Sequence, residues 1–165
     1  TSALSLFAAG RTTGTVVECG AGLTSCIPVF EGLPLVHALN TMEYAGQDVS
    51  LNIQHMLDER GITVDAGYAR LLKERHSFAA KATVPSSERV HFALPDGTDV
   101  NVERAAFADA AELIFKNNAF EPAGLSAQVF ESLNLCDDSI LKDVSQNIIL
   151  SGGTTMMTGM SKTTY

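Results

Sequence analysis

Residues 16–30 read VVECGAGLTSCIPVF, two apolar, β-branched runs joined by Gly20-Ala21-Gly22. Run, glycine-rich turn and second run predict a strand, a bend and a strand, with Phe30-Glu31-Gly32 closing the unit. Glycine serves the bend itself, because it takes positive φ without a Cβ penalty. It also bares N–H groups of the kind that cradle phosphate in other loops. Hairpin bend and phosphate cradle both account for these residues, so the rest of the chain has to separate them.

A second glycine corner lies far down the chain. Asn147-Ile148-Ile149-Leu150 reads as a short buried strand that runs straight into SGGTTMM, residues 151–157. Ser151-Gly152-Gly153 would then open a helix at Thr154-Thr155, whose orphan N–H groups and dipole favour negative charge. Glycine at such a junction is usually geometry alone, but two glycine corners at strand ends, each flanked by threonine, strengthen the reading as an anion cradle.

Between the corners, Leu35 to Glu43 reads as helical. Asp48 is placed to cap another helix, with Val49, Ile53, Met56 and Leu57 on its apolar face and Gly61 ending it. A third helix starts near Asp65, carrying Tyr68, Leu71 and Leu72 on one side with Arg70, Lys73 and Glu74 interleaved. VHFALPDGTDVNV, residues 90–102, signals a hairpin around Pro95-Asp96-Gly97. Helices follow within Ala105–Phe115, near Ser126–Leu133, and after Asp137 or Asp138.

Composition bounds the classes. The 165 residues are 45% hydrophobic, enough for a real core. Eleven basic against nineteen acidic residues leave a formal charge of −8, which repels nucleic acid and argues against it as a partner. Three cysteines without a CxxC pair point to free, buried thiols in a reducing compartment, cytosol or nucleus. No apolar run approaches the roughly 18 residues of a membrane span. The four histidines lack metal-ligand spacing, and no serine or cysteine sits in a nucleophile motif. Lys73-Glu74 is ordinarily a solvated pair, gaining meaning only if its helix borders the cleft of the two corners. Met156 and Met157 read as core.

Taken together and in order, SALSLFAAGRTTG, VVECGAGLT, EGLPLVHAL, AGQDVS, RLLKERHSFAA, ALPDG and LSGGTTM resemble the actin family across essentially the whole chain. The resemblance implies an α/β, ribonuclease-H-like half-fold: the second lobe of a two-lobed protein. Residues 1–46 and 121–165 would then be part of subdomain 3, and residues 47–120 the inserted subdomain 4. The implied function is an ATP-binding cytoskeletal or scaffold protein, cytoplasmic or nuclear. It would hold ATP or ADP with Mg²⁺ or Ca²⁺ in the full-length parent, with no metal ligated directly by these residues. Its implied partners are other actin-like subunits, a multi-subunit assembly or actin-binding proteins, and no membrane.

Residue by residue, the resemblance assigns Gly20, Ala21, Gly22 and Leu23 to the phosphates. It gives Gly46, Arg70, Lys73 and Glu74 to ribose and base, and Gly153, Thr154 and Met156 to the opposite wall. Glu18 stands where the family has the first aspartate of its DSGDG loop, Ala21 stands where it has the second, and Thr1 falls at its water-positioning glutamine. Because phosphoryl transfer rests on positioning, with an error of about 1 Å costing roughly 10²-fold, hydrolysis is expected to be weak or absent. Met157 and Thr158 replace a tyrosine and a proline of the family motif. The rival readings are a pseudo-actin structural subunit without nucleotide and a sugar kinase or chaperone ATPase of the same fold.

Overall fold

The computed structural model describes residues 2–79, 88–94, 97–116 and 124–161. Thr1, Pro95-Asp96, most of the loop before Val90 and the connection through Asn117, Asn118 and Pro122 lie outside them, as does the boundary placed at residue 121.

The opening stretch forms the expected hairpin. β1 (Gly14–Cys19) runs antiparallel to β2 (Thr24–Phe30), with Val16 opposite Ile27 and Cys19 opposite Thr24. On the other side of β1 lies β7 (Ile148–Ser151), parallel, pairing Val17 with Leu150 and Glu18 with Ser151. Two short edge strands on β2, β3 (Leu33–Pro34) and β4 (Asn40–Met42), complete a mixed five-stranded sheet. Flanked on both sides, β1 buries both faces and reads as a continuous apolar run instead of an alternating one. Successive residues therefore serve different cores. Val16 packs with Leu6, Ile27 and Val29 beneath α1 (Ser2–Ala8), and Val17 and Cys19 join the larger core on the opposite face.

That larger core is built by elements between β4 and β7. α2 (Gly46–Asp58) buries Val49, Ile53 and Leu57, which recur every four residues and so form one stripe. Asp48 does not sit at the N-cap. It lies inside the first turn, and its carboxylate accepts from the Ala45 N–H at 2.9 Å. Gly61, at φ +76°, supplies the left-handed residue after the helix. α3 (Ala66–His76) begins at Asp65, whose carboxylate accepts the Tyr68 N–H at 2.6 Å as a true N-cap. Its buried residues are Ala69 and Leu72, with Tyr68 and Leu71 partly exposed beside them. β5 (Arg89–Ala93) and β6 (Asp99–Glu103) form the second hairpin, followed by α4 (Arg104–Ala111), which drives Phe107 fully into the core. α5 (Leu125–Asn134) and α6 (Asp138–Ser145) then lead back to β7.

One element differs in kind. The expected helix over Leu35–Glu43 is a single 3₁₀ turn at Val36–Ala38 followed by β4. Ala38 and Met42 are both buried, so their spacing imitates a helical face. The open edge of β2 takes the segment instead, pairing Thr24 with Met42 and Cys26 with Asn40. The buried Ser132 hydroxyl holds the turn by donating to the Ala38 carbonyl at 2.6 Å.

Candidate functional site

The β1–β2 bend and the corner after β7 meet. Thr154 Oγ1 donates to the Gly20 carbonyl at 2.7 Å, linking residues 134 positions apart. The same carbonyl accepts the Gly46 N–H at 3.0 Å, and the Gln47 N–H donates to Ala21 O at 2.7 Å. The first turn of α2 is thereby seated on the hairpin tip, its leading donors satisfied by protein. Lys73 on α3 closes the group by donating from Nζ to the Gly46 carbonyl at 2.9 Å. Only glycine fits at position 46 without displacing Thr154, since a Cβ there would overlap Thr154 Oγ1 and stand 3.1 Å from Gly20 O. Gly152 is required as well, because its φ is +96° and a Cβ would run into the Cys19 backbone.

This junction forms one wall of a cleft of about 820 Å³, within the range of small-molecule sites. Gly20, Ala21, Lys73, Gly153 and Thr154 line it at the junction, and Arg70, Glu74 and Met156 line it farther along. Gly46 lies behind the wall and orders it. Gly22 and Leu23 occupy the exposed tip of the bend. Glu18 is placed elsewhere: its carboxylate accepts from Ser2 Oγ at 3.0 Å, toward α1.

The donors divide clearly. The Gly20 N–H is consumed within the bend, donating to Leu23 O at 3.0 Å, and so is withdrawn from any ligand. The amides of Ala21, Gly22, Leu23, Gly153 and Thr154 have no acceptor among the described residues. The expected helix at Thr154 is a four-residue 3₁₀ turn, Gly153–Met156. So short a turn has little macrodipole, and what remains of the anion argument is the free amides and the lysine. Burial holds the Lys73 ammonium below the ordinary lysine range, with Glu74 opposing. Glu74 itself is held below the usual carboxylate range, chiefly by its hydrogen bond to Arg70 Nε at 2.9 Å. Met156 is 84% exposed, so it is a cleft residue and not core, whereas Met157 packs partly against the core.

A nucleotide's phosphates fit the free amides and Lys73 of this wall. A directly ligated divalent ion does not fit. Ala21 has no carboxylate, Glu18 faces α1, and Glu74, the carboxylate that lines the cleft, is engaged by Arg70. Among the described residues no cluster of three or more His, Cys, Asp or Glu side chains could hold a metal. Gln47, Ser50 and Gln54 of α2 also line the cleft and were not singled out from sequence. Their signal was an uncharged polar stripe at helical spacing, flanking the apolar stripe of Val49, Ile53 and Leu57.

Comparison with known proteins decides the family. The model described as Actin matches residues 1–84 and 70–163 of this chain. The chain belongs to the actin family. Its mixed α/β architecture is that of the actin-type fold. Among curated relatives it is 34% identical to Actin-like protein 7A of Homo sapiens and 31% identical to that of Rattus norvegicus, each over 96% of this chain. It spans 39% and 38% of those two proteins, respectively. No helix among the described residues is long and apolar enough to cross a membrane.

Proposed function

We propose that this actin-like chain supplies one wall of an ATP- or ADP-binding cleft in a cytoskeletal or scaffold protein, with weak or absent hydrolysis. Residues 1–46 and 121–165 would form the sheet-bearing part, and 47–120 the insertion. One observation carries the reading: Thr154, Gly20, Gly46 and Lys73 knot two distant glycine corners into one wall, beside amides that lack acceptors among the described residues. The nucleotide would supply the phosphate charge to which these donors respond. Ala21, Gly22, Gly153 and Thr154 would bind it through the backbone, and Lys73 would bring a partly desolvated charge that strengthens the contact. Arg70, Glu74 and Met156 would border ribose and base.

Among the described residues of this wall, none is placed to activate water. Glu18 faces α1 and Ala21 has no acid, so any Mg²⁺ or Ca²⁺ would be carried by the phosphates or by residues outside this chain. Partners of the family's kind, actin-like subunits or a larger assembly, follow from the same reading.

A purely structural subunit is the second reading, favoured by the Gly20 amide being spent inside the bend. Calorimetric titration of the full-length protein with MgATP separates the two. Saturable heat that falls about tenfold in affinity with Lys73→Met supports nucleotide binding. Absence of heat at nucleotide concentrations on the order of 1 mM, where binding free energy is about −4 kcal/mol, supports the structural subunit.

A further inference from the structure

Beyond Lys73, toward the C-terminal end of α3, the cleft has buried polar atoms left unmatched among the described residues. Ser77, the C-cap of α3, lines the cleft, is 8% exposed, and its hydroxyl has no hydrogen-bond partner among the described residues. It lies one turn beyond Lys73, about 6 Å along the helix at 1.5 Å per residue. Arg104, the first residue of α4, lines the cleft too. Its guanidinium is fixed from two directions, by Glu88 at 2.8 Å from Nη1 and by the Phe78 ring, whose centroid is 5.4 Å from Cζ. Nε is buried in that pose and has no partner among the described residues. Arg75, a third cleft residue, is exposed and has no acidic partner among the described residues.

Leaving such donors unmade costs about 1–3 kcal/mol each, and more when the group is charged. Two within one cleft, beside a further guanidinium, are the complement of a ligand rich in acceptors. The carboxylates nearby are already engaged, Glu88 by Arg104 and Glu74 by Arg70. His76, between Arg75 and Ser77, is held below the ordinary histidine range, first by burial and then by Arg104 and Arg75, in keeping with a positive local potential. A tetrahedral oxyanion offers acceptors to donors arriving from several sides, which a planar carboxylate matches less well.

We propose that Ser77, Arg104 and Arg75 form a phosphate subsite at this end of the cleft, separate from the glycine-corner wall. The occupant is either inorganic phosphate or a phosphomonoester carried by a larger ligand. The inference does not rest on the nucleotide reading, because the two sites use different residues.

The test is phosphate binding to the full-length protein, followed by calorimetry or thermal shift, in the wild type and in Ser77→Ala, Arg104→Lys and Lys73→Met, each checked for native circular dichroism. Ser77→Ala and Arg104→Lys should each weaken inorganic phosphate about tenfold, while Lys73→Met, one turn away on α3, weakens it less than either. Adenosine 3′,5′-bisphosphate binding more tightly than AMP, with the advantage lost in Ser77→Ala, assigns the phosphate to a nucleotide. Binding of inorganic phosphate without that advantage assigns it to the free ion. No phosphate binding, or binding abolished by Lys73→Met and untouched by the other two, overturns the proposal. MgATP titration of the same variants reads the nucleotide wall independently.

Discussion

Gly46→Ala is the sharpest perturbation of the wall. A methyl at this position would overlap Thr154 Oγ1 and press on Lys73 Nζ at 3.0 Å and Gly20 O at 3.1 Å. The lysine end is flexible and can yield, but the Gly20 carbonyl belongs to the backbone of the bend. Thr154 must therefore rotate away, losing its 2.7 Å bond to Gly20 O. That carbonyl keeps the Gly46 N–H, so the unmet group is the buried threonine hydroxyl, at about 1–3 kcal/mol. Ala in the first turn of α2 recovers up to about 1 kcal/mol of helix propensity. The net loss is about 1–2 kcal/mol, or a fall in melting temperature of about 2–8 °C for a domain of this size. In a Thr154→Ala background the hydroxyl is gone and the same methyl meets little resistance, so the two changes should couple by about 1 kcal/mol. Urea unfolding of the four proteins at constant m-value gives the cycle. Additive costs, or a stabilised Gly46→Ala, would refute the packing of the bend against the corner.

Asp65→Ala should cost about 1 kcal/mol in urea unfolding through loss of the α3 N-cap, and Asp65→Asn should recover most of it. Glu31 holds φ +49° in the turn before β3, so Glu31→Asn should stabilise the chain by about 0.5 kcal/mol in the same assay. Burial pushes the Cys26 thiol up to about 11. A thiol raised in the folded state contributes stability that is whole below the ordinary thiol value of about 8.5 and is lost as pH rises toward 11. Cys26→Ser should reduce the decline across that window by about 1.4 kcal/mol per pH unit, leaving the part owed to Cys19 and Cys136, whose thiols burial also raises. In the native wild type, alkylation of Cys26 should be slow at pH 8 and fast in denaturant.

The hairpin, the stripe on α2, the start of α3 near Asp65 and the closing strand β7 were legible because each is a local pattern with a local cause. The segment after Pro34 was not, since Ala38 and Met42 satisfy a helical spacing while the open edge of β2 decides the structure. The corners could be named from glycine and threonine content, but sequence could not show which amides stay free. Gly20 illustrates this: its N–H is spent on Leu23, and only the path of the turn reveals it. Ser77 and Arg104 escaped for the same reason, because an unmatched buried atom is a property of packing and leaves no spacing to read.

The central claim is that the bend after β1 and the corner after β7 hold the phosphates of one nucleotide between them. Amide chemical shifts of the ¹⁵N-labelled full-length protein, followed during MgATP titration, test it directly. Ala21, Gly22, Gly153 and Thr154 should move together along one saturation curve, and the Gly20 amide, already bonded within the turn, should move less. Shifts confined to one corner, or two curves with different midpoints, would contradict a shared cradle.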